Sequence, residues 1–197
     1  MIIINANFWG PRALGSRSIL ADPRDPKMQR RLNLKIKFRE SFRPFAPSLL
    51  EEHQRDWFEL SAVSEGMQFV SKLKENKLIE NVSSEETKGF DLLNLPRSVM
   101  HAVTHVDNSA RVQTVTKTKS ARFYELILRF FKLTGCPIVV NNSFNVRDEP
   151  IVCDPNDAIN CFLSTDMDLL SIGGFLVSKE DQAEEAILRY QSKFKED

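Results

Sequence analysis

The chain has 197 residues, 42% of them hydrophobic, with 27 Lys and Arg against 27 Asp and Glu. That length and apolar content predict a single domain over residues 1–197 with a real core. No apolar run reaches the roughly 18 residues that a membrane helix requires, and a net charge of zero argues against a chain built throughout for nucleic acid. Three cysteines, Cys136, Cys153 and Cys161, show no CxxC spacing and exclude a disulfide framework, predicting reduced, mostly packed thiols and a cytoplasmic location.

Met1 to Ile4 is followed at once by Asn5 and Asn7, without a basic flank or a cleavage site, and predicts a buried first strand rather than a signal peptide. From Gly10 to Pro47 the charge is uneven. Ten basic residues (Arg12, Arg17, Arg24, Lys27, Arg30, Arg31, Lys35, Lys37, Arg39 and Arg43) stand there against Asp22, Asp25 and Glu40, a local charge of +7 balanced by −7 elsewhere. Such a concentration marks a seat for an anionic ligand. Gly10-Pro11 and Gly15 bracket Arg12 and allow a tight turn. Asp25-Pro26 predicts a capped helix start, with Met28, Leu32 and Ile36 as its apolar face and Arg30, Arg31, Lys35 and Lys37 largely off it. Pro44 and Pro47 then force extended structure. Arginines in a bent, extended segment suit bidentate binding of phosphate or carboxylate.

Acids early, and Leu49, Leu50, Trp57 and Phe58 after them, predict a helix over Ser48–Leu60, with His53 on its surface. Residues 61–98 carry little pattern, and 80–89 is predicted as an exposed loop or lid. His101–Val115 alternates Val and Thr around Asp107-Asn108 and predicts two tightly joined strands. In a strand, His101 and His105 stand about 13 Å apart at about 3.3 Å per residue, too far to share a metal ion. Lys119–Thr134 is the clearest helix: Phe123, Ile127, Phe130 and Thr134 keep helical spacing, Ser120 is a candidate cap, and Gly135 with Pro137 ends it. Its aromatic stripe is expected in the core.

Ile138-Val139-Val140 reads as a buried strand ending at Asn141-Asn142-Ser143-Phe144-Asn145. Amides and a hydroxyl at such a strand end are able to hold a carbamoyl group, a ribose or a phosphate, although Asn and Ser also favour turns in any protein. Arg147 to Pro150 forms the next loop. Asp154-Pro155 starts a helix through Ser164 with Asp157 at its third position. Leu169–Val177 is predicted as one strand with a bulge at Gly173-Gly174, and residues 178–195 as a charged amphipathic helix.

GPRALGSRSILADPR, KFRESFRPFAPSLLEE, THVDNSARVQTV and VVNNSFNVRDEPIVCDPNDAINCF together resemble the carboxyl-terminal, YrdC-like domain of the O-carbamoyltransferases that modify antibiotics and nodulation factors. The match runs from about residue 9 to 178. The resemblance implies an α/β (α+β) fold, a twisted mixed sheet with flanking helices whose concave basic face binds ATP, with its Mg²⁺, and carbamoyl phosphate. It implies carbamoyl adenylate as product, a Kae1-like amino-terminal partner domain that carries iron and passes the carbamoyl group on, and no iron site in this chain. It assigns Arg12 and Lys37 to phosphate groups, with Arg43 and Arg17 as weaker candidates. Arg111 falls to carbamoyl phosphate or the adenylate phosphate, Asn141 and Ser143 to the carbamoyl or nucleotide end, and Asn145 and Arg147 to the adjoining loop. Two positions depart from the family: Phe8, where an acidic residue is usual, and Asn142, where Thr is common. A nucleotide-binding module without turnover is one alternative. An RNA-binding YrdC-like protein is another, disfavoured by the few aromatics among the basic residues.

Overall fold

The computed structural model describes residues 2–4, 12–79 and 95–192. Phe8, Gly10, Pro11 and the loop expected at 80–89 lie outside the described residues. In chain order the elements are β1 (Ile2–Ile4), β2 (Arg17–Ala21), α1 (Met28–Lys35), β3 (Ala46–Leu50), α2 (Gln54–Trp57), β4 (Phe69–Lys72) and β5 (Ser109–Val115). They continue as α3 (Ala121–Thr134), β6 (Ile138–Ser143), α4 (Pro155–Ser164), β7 (Leu169–Ile172), β8 (Phe175–Ser178) and α5 (Glu184–Ser192). The strands form one mixed sheet in the order β4-β5-β3-β6-β2-β1-β7-β8. β3 runs parallel to β5 and β1 to β7, and every other pairing is antiparallel. This is the expected α+β arrangement of a mixed sheet with flanking helices.

Both sheet faces are covered. On one, Leu32 and Ile36 from the α1 segment and Ala158, Cys161 and Phe162 from α4 pack onto Ile19, Leu49, Val112, Ile138 and Val140. On the other, Phe123 and Ile127 of α3 pack onto Leu20, Leu50, Val115 and Val139. Burying side chains of this size stabilises the fold by about 1.5–3 kcal/mol each. The α3 stripe is thus core, as its spacing predicts, with Phe130 bridging both clusters. The turn before β2 reaches the start of α3 so closely that a Cβ on Gly15, whose φ is +90°, would lie 2.2 Å from the Phe123 ring.

Four sequence expectations are corrected. Ser48–Leu50 is the end of a central strand, not a helix: with both faces covered, Leu49 and Leu50 are each fully buried on opposite sides, so β3 reads as a continuous apolar run. Helix remains only at α2, after a 3-10 turn over Glu51–His53. Of the two strands expected over His101–Val115, the first is a buried 3-10 turn, His101–Val103, pinned where Thr104 Oγ1 donates to Met100 O at 2.9 Å. The turn survives, with Asn108 at φ +63°, and the second strand is β5. His101 and His105 therefore never share a strand, and burial lowers the pKa of both. Leu169–Ser178 is a hairpin rather than a bulged strand, because a Gly-Gly pair between apolar runs makes a two-residue turn, with Gly173 at φ +60°. The last helix begins at Glu184, not 178.

The helix starts differ in quality. At α4 the predicted cap is complete: Asp157 N donates to Asp154 Oδ1 and Cys153 N to Asp157 Oδ2, both at 2.9 Å. Asp25 closes a local turn instead of capping, accepting from Lys27 N at 2.8 Å, and α1 begins only at Met28, with Lys27 at its cap position and no side-chain capping bond. Ser120 occupies the cap position of α3 without a side-chain capping bond. Cys136 and Cys161 are buried and Cys153 is exposed. No helix among the described residues is long and apolar enough to cross a membrane.

Candidate active site

The basic loop after α1 is held by the helix itself. Gln29 and Asn33, one turn apart and buried, donate to loop carbonyls: Gln29 Nε2 to Phe42 O at 2.7 Å, and Asn33 Nδ2 to Ser41 O at 3.0 Å and Arg43 O at 2.8 Å. Arg39 Nε donates to Asn33 Oδ1 at 2.6 Å, and its guanidinium lies 4.9 Å from the Phe45 ring centroid. Burial, then the neighbouring Arg43, pushes Arg39 down to about 10. Gln29 and Asn33 were not picked out from the sequence. The available signal was an amide pair at i, i+4 beside the apolar face, facing a segment whose carbonyls need donors.

Lys37 follows directly. The sequence set it off the apolar face of α1, yet it is only 5% exposed, because the chain turns through Phe38 at φ +46° and sends it under the sheet end. Its ammonium donates to Ser143 O at 2.6 Å and to Asn145 O and Asn145 Oδ1 at 2.7 Å each. Burial, followed by Arg39, pushes the amine down to about 7, while the three close oxygens favour the charged form. Ser143 Oγ donates to the same Asn145 Oδ1 at 2.7 Å.

These groups line a cavity of about 320 Å³ with Arg43, Arg147, Arg39, Asn142, Val146, Glu40 and Asp148. Of the residues assigned from the sequence, Lys37, Arg43, Ser143, Asn145 and Arg147 come together here. Arg43 stands 3.8 Å from Glu40 and Arg147 3.3 Å from Asp148; both pairs are solvent-exposed and worth little in water. Four basic against two acidic side chains leave the cavity suited to an anion.

Arg17 is not among the residues lining this cavity. Buried on β2, it donates through Nη1 to Val152 O at 2.9 Å, and Phe144 N donates to Arg17 O at 2.9 Å. It therefore fastens the 144–153 loop to the sheet. Arg12 and Arg111 are also outside the lining of this cavity. Arg111, half-buried on β5 opposite Val70, has its pKa lowered by burial and then by Arg12. Among the described residues neither has a carboxylate within salt-bridge range.

Asn141 lies within β6 rather than beyond its end, and is 1% exposed. Its Nδ2 donates to Ser48 Oγ at 2.9 Å and to Gln113 Oε1 at 2.7 Å, and Ser48 Oγ donates to the same Gln113 Oε1 at 2.5 Å. Asn141 Oδ1 is buried without a partner. Ser48 and Gln113, too, went unnoticed in the sequence, where a single polar residue in an apolar strand resembles ordinary alternation. Among the described residues no three His, Cys, Asp or Glu side chains converge as a metal cage.

Residues 3–179 match the family described as carbamoyltransferase C-terminus. An uncharacterised protein of Synechocystis is 49% identical over 191 residues, 96% of this chain and 31% of that protein. Nodulation protein NolO of Bradyrhizobium diazoefficiens is 44% identical over 171 residues, 87% of this chain and 28% of its own length. Nodulation protein NolNO of Sinorhizobium fredii is 42% identical over 180 residues, 90% of this chain and 24% of its own. The chain thus spans about a quarter to a third of these relatives, and over that span it belongs to the carbamoyltransferase C-terminal family.

Proposed function

We propose that this chain is the part of a carbamoyltransferase that binds ATP and carbamoyl phosphate and joins them as carbamoyl adenylate. Carbamoyl phosphate is hydrolysed to phosphate and carbamate. A carbamate oxygen then attacks the α-phosphorus of ATP, the bond to the bridging oxygen breaks, and pyrophosphate leaves. Transfer to an acceptor hydroxyl, with release of AMP, falls to a Kae1-like partner domain or subunit. Mg²⁺ belongs to the nucleotide and enters with it.

The observation that carries this reading is the cavity of about 320 Å³ in which Lys37, Arg39, Arg43 and Arg147 stand with only Glu40 and Asp148 beside Ser143 and Asn145. Cations gathered in one cavity, two of them partly desolvated, repel unless an anion lies among them. Two polyanionic substrates need several such fixed cations, since charge on transferring phosphoryl groups is stabilised chiefly by positioned Arg, Lys and Mg²⁺. Arg12 and Arg111 are assigned to the phosphates of carbamoyl phosphate or the adenylate. Lys37, Arg43 and Arg147 make the cavity beside Ser143 and Asn145 attractive to the remaining phosphates. Arg17 acts through the loop it fastens. No residue is needed as a nucleophile.

The test is calorimetric titration with ATP–Mg²⁺ and with carbamoyl phosphate, on wild type and Lys37→Ala, followed by a pyrophosphate-release assay. Binding that is lost in the variant, with release by wild type, is the expected result. Failure of wild type to bind either ligand would overturn the reading. Binding without release would assign the chemistry to the complete enzyme rather than to this chain alone.

A further inference from the structure

We infer that Asn141 is a specificity residue that accepts a hydrogen bond from a ligand amide, and that Ser48 and Gln113 are positioning residues that fix it in that role. The inference rests on the reading above and names what that site distinguishes: carbamoyl phosphate from acyl phosphates that carry a methyl where carbamoyl carries NH₂.

The argument is one of donors and acceptors. An asparagine amide has two N–H donors and one carbonyl. Both donors of Asn141 are engaged by Ser48 Oγ and Gln113 Oε1. Those partners are themselves locked, because Ser48 Oγ donates to the oxygen of Gln113 that Asn141 also uses. The carbonyl is what remains, and Oδ1 is buried without a partner. Leaving a buried acceptor unmet is unfavourable unless a donor arrives. The three residues sit on adjacent central strands: Ser48 faces Gln113 across β3 and β5, and Asn141 lies two residues beyond Val139, which faces Ser48 from β6. Two residues from Gln113 along β5, and therefore on the same face, is Arg111. Arg111 and Asn141 therefore share one face of the sheet two strands apart, about 10 Å at the spacing of neighbouring strands, a gap that an extended arginine and a small acyl phosphate on it can span. A phosphate oxygen or a methyl offers Oδ1 nothing, whereas a carbamoyl NH₂ offers a proton. Discrimination is large where a site's buried polar group goes unpaired with the wrong ligand.

The experiment is titration of the full chain with carbamoyl phosphate and with acetyl phosphate, on wild type, Gln113→Leu and Gln113→Glu. Wild type is expected to prefer carbamoyl phosphate by about ten- to a hundredfold. In Gln113→Leu one acceptor is lost, the amide is free to turn over, and the preference falls towards unity. In Gln113→Glu the side chain only accepts, Asn141 stays fixed, and the preference returns. A structural role alone would weaken both ligands together and leave their ratio unchanged. The ratio in wild type decides the matter even if Gln113→Leu does not fold. Equal affinity for the two ligands in wild type, or an unchanged ratio in a folded Gln113→Leu, overturns the inference while leaving the proposed function standing. No binding of carbamoyl phosphate removes both.

Discussion

The two halves of β6 are built on one backbone and do opposite things. Ile138, Val139 and Val140 are buried against core clusters on both faces of the sheet. Asn141, Asn142 and Ser143 continue the same ladder, paired in register with Leu20, Ile19 and Ser18 of β2, yet carry only polar side chains. The first half gains stability from apolar area. The second spends backbone positions of equal quality on groups that must each find a partner, and two buried atoms there, Asn141 Oδ1 and Asn142 Nδ2, have none. A folding requirement alone would have filled these positions with Val or Ile. Their polarity at the end of a central strand, beside the basic loop, is what a ligand end of a sheet requires.

The largest test of that division is Lys37→Ala. Lys37 ties the loop after α1 to Ser143 and Asn145, so its loss removes a cavity cation and strands three oxygens. Pyrophosphate release is expected to fall by about a hundredfold or more, measured at saturating ATP–Mg²⁺ and carbamoyl phosphate. A variant with near-normal release would detach Lys37 from the site. The opposite half of β6 supplies the contrast. Ile138→Ala is expected to lower stability by about 2–4 kcal/mol in denaturant unfolding, with ligand affinity unchanged wherever the protein remains folded. A change in affinity comparable to that of Lys37→Ala would abolish the distinction between the halves.

These expectations also mark what was legible in the sequence. The apolar half of β6, the α3 stripe and the cap of α4 could be read directly, because periodicity and capping are local. The Asp154 cap gives a smaller prediction: Asp154→Ala should cost about 1 kcal/mol in thermal or denaturant unfolding, and an unchanged midpoint would discount the bond from Asp157 N to Asp154 Oδ1. Ser48–Leu50 was misread because a strand buried on both faces loses its alternation. The site was legible only in part. The basic residues announce themselves by charge, but their grouping depends on long-range contacts. Lys37 reaches residues more than a hundred positions away, and Arg17 does the same towards Val152. Gln29, Asn33, Ser48 and Gln113 act only through partners that the fold assembles, so their own neighbourhoods in the chain said little.

The smallest effect concerns a proton, and it sharpens the comparison most finely because it reports on the polar half alone. Burial pushes Lys37 down to about 7 from its usual 10.5. A lysine lowered in the fold binds its proton more weakly there than in the unfolded chain. Between about pH 7 and the ordinary lysine range the unfolded chain therefore holds more protons, and stability of the unliganded protein rises with pH across that window. Below it the buried charge opposes folding. A phosphate in the cavity reverses the preference, since an anion nearby favours the ammonium. An amine pushed down to about 7 in the free protein predicts that ligand binding at pH 8 takes up a fraction of a proton approaching one, and at pH 6 almost none. Binding enthalpies in buffers of different ionisation enthalpy give that number as a slope, and subtracting the slope for Lys37→Met removes the ligand's own titration. Equal slopes for wild type and Lys37→Met at pH 8 would mean that the bound anion does not sense Lys37, and that its three oxygens on Ser143 and Asn145, rather than the ligand, hold its charge.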